Sequence, residues 1–352
     1  MDSRPDHAVS RRTALKALGA VPIAAVAAGT VAPLDAQRGA APAAAPAAGP
    51  APLRKLALVS RHIEWATMEE GAAAAAEAGF TAVAWTCRDR AHILPTNVER
   101  ELPRAVTIAR QNGLTVPMLI TNINNAGAAR AEAVLDTMRQ AGITRYRAPG
   151  YDYDLTKEML PQWDGIRRQL DGLAKLNEKY GTRAMFHTQS GQGNVGGGLW
   201  DIWMLVKDYP TNLLGINFDI GHSTTRAATE WVTTVRFAHR HVGALSLKDM
   251  HWVKRTDAQP NQYAWRNEFV VPGTGMVNFR EIFTYFKSVN FDGPMEMYYE
   301  YMVDLGGGKS MNMLGSRIGW KLEMPKAQFI SLLKRDVDFY RGVMKSLDWQ
   351  VG

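Results

Sequence analysis

Cysteine is almost missing from this sequence of 352 residues, and long basic runs are missing altogether. Cys87 is the only cysteine, so no disulfide can form within the chain, and a disulfide-stabilised fold is excluded. The formal net charge is +7, and residues 1–53, with five basic and three acidic residues, contribute +2 of it. So small a charge, without a cluster of lysine and arginine, argues against a nucleic-acid-binding protein. The ordinary hydrophobic content of 46% supplies one large core.

A long apolar run suited to a membrane-spanning helix is also missing. The alanine-rich segment 17–33 is short for crossing roughly 30 Å of hydrocarbon. It follows S-R-R-T-A-L-K at residues 10–16, whose paired arginines resemble a bacterial twin-arginine signal. We therefore predict a signal peptide at residues 1–36, in preference to a short membrane anchor. The chain would then be exported to the periplasm or the medium and keep no anchor after cleavage. Residues 37–53, mostly Ala and Pro, predict a disordered linker.

Short apolar runs alternate with longer amphipathic stretches from residue 54 to the end of the chain. The apolar runs are rich in β-branched or aromatic residues, which is typical of buried strands, and the stretches between them are helical in pattern. Eight such pairs predict a closed parallel barrel, a single-domain (β/α)8 TIM barrel over residues 54–352, although an open doubly wound sheet uses the same alternation. The predicted strands are 56–60, 81–86, 115–121, 145–148, 183–187, 213–219, 242–247 and 294–301. The predicted helices are 66–78, 97–112, 127–141, 156–180, 199–209, 227–240, 278–288 and 325–346.

Polar side chains gather at the ends of the last four predicted strands. In a closed parallel barrel, reactive groups lie where the strands end and the following loops begin, and residues two apart share a face of a strand. Burying many polar groups at one place is costly unless they serve a purpose, so we predict the site there. The groups are His187 and Gln189, Asn217 and Asp219 with His222 just beyond, Ser246 and Lys248, and Glu296, Tyr298 and Glu300.

Three further residues are predicted to bind the substrate beside this set: Arg147 on the fourth strand, His92 after the second and Trp252 after the seventh. Several members of the set have structural alternatives. Asp219 can cap the next helix, Lys248 can pair with Asp249 at the surface, and Glu300 can form a salt bridge with an arginine. The long segments 250–277 and 302–324 are predicted to be lids or specificity loops.

Four segments of the second half of the chain resemble a known family. They are F-D-I-G-H at 218–222, S-L-K-D at 246–249, V-P-G-T-G-M-V-N-F at 271–279 and G-P-M-E-M-Y-Y-E-Y at 293–301. In this order they resemble the xylose isomerase-like TIM-barrel superfamily, and within it the sugar phosphate isomerase/epimerase group, over about residues 56–346. The resemblance implies a divalent metal at the barrel mouth and proton transfer beside a sugar carbonyl through an enediolate.

The resemblance also implies a metal site that this sequence keeps only in part. The family ligands are a Glu ending strand five, an Asp ending strand six, a His on strand seven and a Glu on strand eight. These positions fall on His187, Asp219, Ser246 and Tyr298, with Glu296 and Glu300 two residues to either side of Tyr298. We expect a three-ligand site of His187, Asp219 and Glu300, suited to Mn²⁺, Zn²⁺ or Fe²⁺.

The resulting expectation is a sugar or keto-sugar isomerase or epimerase, or a related lyase. The resemblance implies that the two family glutamates transfer the proton, and this sequence has His187 and Tyr298 at their positions. Lys248 or His187 is therefore the expected base, with Glu300 the third catalytic group. His222, Arg147, His92, Trp252 and Glu296 would bind a small carbohydrate substrate. An enzyme of this kind can also assemble into homo-oligomers.

Two other functions use the same features. The segment G-Q-G-N-V-G at 191–196 has the spacing of a dinucleotide fingerprint, which would indicate an NAD(P)-dependent oxidoreductase. Three glycines in a row at 196–198 would weaken the helix turn that such a fingerprint needs, and a flexible loop over the barrel mouth is the alternative. The incomplete ligand set also fits an exported sugar-binding barrel without catalysis.

Overall fold

Twelve strands and nine helices organise residues 55–314 and 319–350, the part of the chain that the computed structural model describes. The strands are β1 (Leu56–Val59), β2 (Ala82–Thr86), β3 (Leu119–Ile120), β4 (Arg145–Ala148), β5 (Arg183–His187), β6 (Leu214–Asp219), β7 (Val242–Leu247), β8 (Asp249–Lys254), β9 (Trp265–Val270), β10 (Met295–Met297), β11 (Met302–Gly306) and β12 (Lys309–Asn312). The helices are α1 (Met68–Glu77), α2 (Val98–Gln111), α3 (Ala131–Gln140), α4 (Met159–Tyr180), α5 (Trp200–Val206), α6 (Ile220–Ala227), α7 (Trp231–Ala238), α8 (Phe279–Ser288) and α9 (Lys326–Lys345).

Eight of these strands close into a parallel barrel. Their order is β1-β10-β7-β6-β5-β4-β3-β2, and the remaining strands form two antiparallel hairpins, β8–β9 and β11–β12. The prediction of a (β/α)8 TIM barrel is confirmed, and the open doubly wound alternative is wrong. The predicted signal peptide and linker, residues 1–36 and 37–53, lie outside the described residues. Among the residues that are described, no helix combines the length and the apolar character needed to cross a membrane.

The core has two layers because strand side chains alternate between the two faces of the barrel wall. The outward layer packs against the helices and includes Leu56, Leu58 and Trp85. The inward layer is a smaller cluster of mostly small or aliphatic side chains, capped by Tyr298. It consists of Ala57, Val59, Ala82, Ala84, Met118, Ile120, Met185, Ala244 and Tyr298. This packed interior leaves the strand ends as the place for polar chemistry.

Five local predictions need correction. The predicted helix 227–240 corresponds to α7 alone, and α6, which begins directly at the end of β6, was not predicted. The third and eighth barrel strands, β3 and β10, are shorter than predicted. The loops predicted at 250–277 and 302–324 contain the hairpins β8–β9 and β11–β12, because their alternating residues can pair with each other. These hairpins stand at the end of the barrel where the polar residues gather.

Candidate active site

A buried lysine lies at the centre of the polar residues. Lys248 follows β7, and its side chain is 2% exposed. Its Nζ atom is 2.9 Å from Glu300 Oε2, 3.2 Å from Asp219 Oδ2 and 3.2 Å from His222 Nε2. Two carboxylates therefore compensate one buried positive charge, and the alternative of a surface pair with Asp249 is wrong. A buried charge is tolerated only when it is paired in this way.

The D-I-G-H segment explains how Asp219 meets this lysine. Asp219 ends β6 and is the N-cap of α6, where its Oδ1 atom accepts a hydrogen bond from the His222 N–H at 2.8 Å. The second oxygen, Oδ2, is left to face Lys248. Gly221 lies against the lysine stem, because a Cβ atom there would be 2.4 Å from Lys248 Cγ. The capping and the functional interpretations of Asp219 thus apply to different oxygens of one carboxylate.

Two neutral histidines complete the upper part of the cluster. His222 Nδ1 is hydrogen-bonded to Ser190 Oγ at 2.8 Å. His187 Nε2 lies 3.5 Å from Asp219 Oδ2, and the two imidazole rings meet edge to face. Burial, and then the charges of Arg147 and Lys248 for His187 and of Lys248 for His222, lower both histidine pKa values well below 6.5. Both rings are therefore uncharged at neutral pH.

The two carboxylates are shifted in opposite directions. Burial raises the pKa of Asp219 to about 6, and the attraction of Lys248 opposes part of this shift. Burial would also raise the pKa of Glu300, but the charge of Lys248 outweighs it and lowers the pKa to about 2. Both groups are ionised at pH 7. Two ionised carboxylates therefore face the Lys248 Nζ atom.

A second polar layer lies one strand position deeper in the barrel. Asn217 donates a hydrogen bond to Glu296, and Ser246 donates to both Asn217 and Glu296. Glu296 is fully buried, and burial raises its pKa, opposed mainly by the charge of Arg147. Its hydrogen bonds are to this deeper layer, and Lys248 is paired in the upper one. Glu296 therefore supports the site from below.

Aromatic rings cover the lysine on two sides. Lys248 Nζ lies 4.7 Å from the ring centre of Tyr298 and 4.7 Å from that of Phe269. Arg147, which projects from β4, contacts the same Tyr298 ring at 5.7 Å. Cations over aromatic faces gain electrostatic stabilisation, and the rings also exclude water from the ion pairs. Phe269, from the β8–β9 hairpin, was not expected at the site.

The structure brings together five of the predicted residues: His187, Asp219, His222, Lys248 and Glu300. Arg147 borders them through Tyr298. His92 belongs elsewhere, because its Nε2 atom lies 3.2 Å from the Ala66 carbonyl oxygen and its ring packs edge to face on Trp85. Trp252 lies on β8 beside the mouth, in a groove described below.

The donor atoms available for a metal differ from the expected set. One atom from each of His187, Asp219 and His222 lies within 4.8 Å of the others, so His222 replaces Glu300, which instead pairs with Lys248. Two nitrogens and one carboxylate oxygen suit a metal such as zinc. The Lys248 ammonium, however, contacts both Asp219 and His222. By donor type and spacing the three residues can hold a divalent cation, but with the ammonium in place they do not fit one, because two positive centres would share the same donors.

Asp249 has a structural role that explains the V-P-G-T-G-M-V segment. Its two carboxylate oxygens accept four backbone N–H hydrogen bonds, from Met250, Gly273, Gly275 and Val277, at 2.8 to 3.1 Å. The chain wraps closely around this carboxylate, since a Cβ atom on Gly275 would lie 2.3 Å from Asp249 Oδ1. In the sequence, the only indication of this close wrapping is the pair of glycines two residues apart, Gly273 and Gly275. Asp249 thus ties the loop after β9 to the end of β7.

The glycine-rich segment at 191–196 is a loop between β5 and α5. It is joined to the loop after β4 by an isolated bridge between Asp152 and Asn194, and α5 begins only at Trp200. A dinucleotide fingerprint instead opens directly into a helix beside an open sheet. Residues 191–196, all of which the structure describes, do not lead directly into a helix, and the sheet beside them is a closed barrel. The interpretation of this segment as an NAD(P)-binding fingerprint is therefore wrong.

Comparisons with known proteins agree with this architecture. The family model described as Xylose isomerase-like TIM barrel matches residues 72–318. A D-psicose 3-epimerase solved with D-tagatose, from Clostridium cellulolyticum H10, is 16% identical, with 82% of this chain and 99% of that chain covered and a TM-score of 0.56. A xylose isomerase-like TIM barrel protein from Mycobacterium smegmatis in complex with magnesium is 11% identical, with 83% and 97% covered and a TM-score of 0.57.

A third solved structure is the IOLI protein with a bound zinc atom. It is 11% identical, with 83% of this chain and 98% of that chain covered and a TM-score of 0.56. A comparison with curated proteins gives no match. At these identities the solved structures establish a shared fold, and the zinc, the magnesium and the sugar belong to those proteins.

Proposed function

The chain belongs to the xylose isomerase-like TIM barrel family, and from this premise we propose that it is a sugar isomerase or epimerase. It would transfer a proton at the carbon beside the carbonyl group of a keto-sugar. One observation carries the proposal: the Lys248 ammonium is buried at the barrel mouth between Asp219 and Glu300, close to the neutral histidine His187. A fixed positive charge near a neutral base suits the removal of such a proton.

Lys248 would stabilise the negative charge that forms on the substrate oxygen. Its ammonium group, ion-paired with two carboxylates, carries three N–H donors. A donor that is already oriented costs little reorganisation when the charge develops. Its three polar contacts are Glu300, Asp219 and His222, so one must give way to the substrate oxygen. His222 is uncharged and partly exposed, so breaking its hydrogen bond with Lys248 costs less free energy than breaking either ion pair.

His187 would act as the base. When the C–H bond breaks, the proton passes to the imidazole, and the electron pair forms a C=C bond while the carbonyl oxygen takes the negative charge. Asp219, 3.5 Å from the His187 Nε2 atom, stabilises the imidazolium that results. Delivery of a proton to the same carbon on its other face, by a donor other than His187, gives an epimer. Return of the proton to the former carbonyl carbon gives an isomer, when the hydroxyl on the deprotonated carbon passes its proton to the former carbonyl oxygen. Loss of a leaving group beside the carbanion gives elimination. None of these steps requires a co-reactant.

The remaining residues would position the ammonium and the substrate. Glu300 and His222 are the partly exposed members of the cluster, so the substrate would approach from their side. We assign Arg147 to substrate binding, because its guanidinium shares the Tyr298 ring with Lys248 and its charge lowers the pKa of His187. Glu296 would support the site through Asn217 and Ser246 rather than bind the sugar.

A divalent cation has to be weighed against this lysine. Mn²⁺, Zn²⁺ or Fe²⁺ at His187, Asp219 and His222 would compete with the ammonium for two of the three donor atoms. We therefore derive the chemistry from Lys248 and propose that the ammonium supplies the positive charge of the site. Metal content of the purified protein, and activity in the presence of a chelator, separate the two possibilities.

The test is hydrogen exchange on keto-sugars. The protein is incubated in D₂O with a panel of ketohexoses, ketopentoses and oxidised glycosides, and NMR follows deuterium uptake beside the carbonyl as well as new isomers. We expect exchange with at least one class of sugar and its loss, by at least 100-fold, in Lys248→Met and His187→Gln. The matched control is His251→Gln, a half-exposed histidine paired with Glu268 on the β8–β9 hairpin, which should keep full activity.

Two results would count against the proposal. Full activity in both Lys248→Met and His187→Gln would remove these residues from the mechanism. Binding of a sugar by isothermal titration without exchange or product would favour the second candidate, a sugar-binding barrel without catalysis, which the exposed aromatic residues beside the mouth favour.

We also propose export through the twin-arginine route, on the basis of residues 10–16. Replacing Arg11 and Arg12 together by lysine should retain the protein inside a bacterial host, whereas the parent appears in the periplasm or medium. Equal fractionation of both forms would refute the proposal.

A further inference from the structure

The β8–β9 hairpin carries aromatic residues on one face only. In its antiparallel register Met250 pairs with Phe269, Trp252 with Asn267 and Lys254 with Trp265. Directly paired residues, and residues two apart along a strand, project from the same face. Phe269, Trp252 and Trp265 therefore share a face. The opposite face carries His251, Val253, Arg266 and Glu268, of which Arg266 and Glu268 form an ion pair at 2.8 Å.

The aromatic face starts at the active site and leads away from it. Phe269 contacts Lys248 and meets the His222 ring edge to face at 5.1 Å. Trp265 is four residues from Phe269 along β9, which corresponds to about 14 Å at roughly 3.4 Å per residue. Trp252 on β8 lies between these two positions. The three rings thus form a row longer than one sugar ring.

Two of these rings, Trp252 and Trp265, line a groove of about 840 Å³. Its lining also includes Ser190 and Gln192 from the loop after β5 and Arg226 from α6. Ser190 is also the hydrogen-bond partner of His222, so the groove borders the active site at this residue. Its volume falls in the range of sites that hold ligands well above the size of a single ring, roughly 300–1,000 Å³.

The exposure of these indoles needs an explanation. Trp252 is 39% exposed and Trp265 is 54% exposed. Large apolar side chains that are grouped on a protein surface usually mark a binding site. A lining that combines flat aromatic side chains with polar ones suits a sugar ring, which presents C–H groups on its faces and hydroxyls around its edge. Asn267, Gln192 and Arg226 can bond such hydroxyls. Of the three arginines that line the groove, Arg255 is paired with Asp257 and Arg266 with Glu268, and Arg226 donates a hydrogen bond to the Gly191 carbonyl oxygen.

We propose that this groove binds the second and third rings of a glycoside whose first ring enters the active site. The inference rests on the proposed function and adds the substrate class, an oligosaccharide or an aryl glycoside rather than a free monosaccharide. Either kind of ligand offers a second flat ring to Trp252 and a further contact to Trp265.

The test compares ligands of increasing length. Isothermal titration with the full chain uses a panel of α- and β-linked disaccharides and trisaccharides, their monosaccharides, and 4-nitrophenyl glycosides of the same sugars. We expect at least a tenfold gain in affinity from one ring to two for one sugar series. Trp252→Ala should remove that gain, and Trp265→Ala should remove the further gain from the third ring, while both leave monosaccharide binding unchanged. Phe237→Ala, at an exposed aromatic residue on α7, is the matched control.

The outcomes identify the ligand and separate this inference from the proposed function. A gain with 4-nitrophenyl glycosides but not with disaccharides would select an aryl group, and the reverse would select a sugar. Length-dependent binding without hydrogen exchange would support the groove and count against the enzyme. Exchange on monosaccharides with no gain for any longer ligand would keep the enzyme and overturn the groove. Light scattering that finds dimers in the parent and monomers in Trp265→Ala would identify the face as a protein contact and overturn the inference.

Discussion

Replacing Lys248 by methionine should convert the site into a zinc site. The substitution removes the ammonium that contacts Asp219 and His222 and leaves His187, Asp219 and His222 as three donors within 4.8 Å of one another. Two unit charges about 4 Å apart repel by about 4 kcal/mol at an effective dielectric constant of 20, so a divalent ion beside the ammonium would face about 8 kcal/mol. The lysine can partly swing away. If only a third of the repulsion remains, about 2.7 kcal/mol, zinc binds about 100-fold more tightly to the variant than to the parent.

The assay is competition with a chromogenic chelator at pH 7, together with metal analysis of the purified proteins. Lys248→Arg, which keeps the charge, and Lys248→Met combined with Asp219→Ala, which removes a donor, should both fail to bind zinc tightly. Lys248→Met leaves two buried carboxylates without their cation, a change that costs about 3–5 kcal/mol in comparable cases. Combining it with Glu300→Gln removes one of these charges and keeps the three donors. Zinc at 100 times its Kd should then stabilise the double variant by about 2.7 kcal/mol in thermal unfolding.

Two results would refute this reasoning. One is a parent protein that holds stoichiometric zinc or manganese after purification with Lys248 intact, since the ammonium and the metal would then occupy the donors together. The other is a folded Lys248→Met, Glu300→Gln protein that binds no zinc, which would mean that the three donors are not arranged for a metal.

Three further predictions concern residues around the site. Asp249→Ala removes the acceptor of four backbone N–H groups and should lower the free energy of unfolding by about 3–5 kcal/mol in urea titrations, since hydrogen bonds to charged groups contribute about 1.5–3 kcal/mol each and are not additive. The control Asp304→Ala, at an exposed position, should cost under about 1 kcal/mol. Equal losses in the two variants would contradict the structural role assigned to Asp249. Gly221→Ala should lower the free energy of unfolding by about 1–3 kcal/mol and slow hydrogen exchange on the sugar, because the new Cβ atom meets the Lys248 stem. The control Gly342→Ala, with open space around it in α9, should be neutral or stabilising. A Gly221→Ala protein with unchanged stability and activity would show that the lysine stem tolerates a shift. Burial lowers the pKa of His62 to about 4, so between pH 6.5 and 4 the unfolded chain binds a proton that the folded chain does not, and stability falls as the pH falls. The parent should lose about 3 kcal/mol more than His62→Gln between pH 7 and 4 in urea titrations, at 1.36 kcal/mol per pKa unit; equal losses would mean that another group dominates this range.

The sequence predicted most of the barrel correctly. Eight apolar runs alternate with amphipathic stretches, and such patterns are local, so the strands and most helices could be located without tertiary information. The errors were of a different kind. The segment after Asp219 begins a helix at once, and the segments 250–277 and 302–324 pair with themselves as hairpins. Both outcomes depend on contacts that periodicity does not encode.

The site was also predictable in part. Parallel strands align their ends, so His187, Asp219 and Lys248 had to lie near one another once the barrel closed. Glu300 was expected there as well, but β10 ends at Met297, and only the path of the chain beyond it determines which partner Glu300 meets. His92 could not be judged from its position after the second strand, because its loop turns back towards Ala66. Phe269 and Ser190 gave no sequence signal of their own.

What the sequence by itself determined is the closed barrel and the end of it that holds the chemistry, because both follow from the alternation of strands and from the face on which each strand residue lies. Only the tertiary structure decided what that chemistry can be. One carboxylate oxygen of Asp219 caps α6, and Gly221 leaves room for the Lys248 stem. Glu300 and His222 are the other polar contacts of the ammonium. These are contacts between residues from different strands and loops, so their partners follow from three-dimensional packing and not from any local pattern.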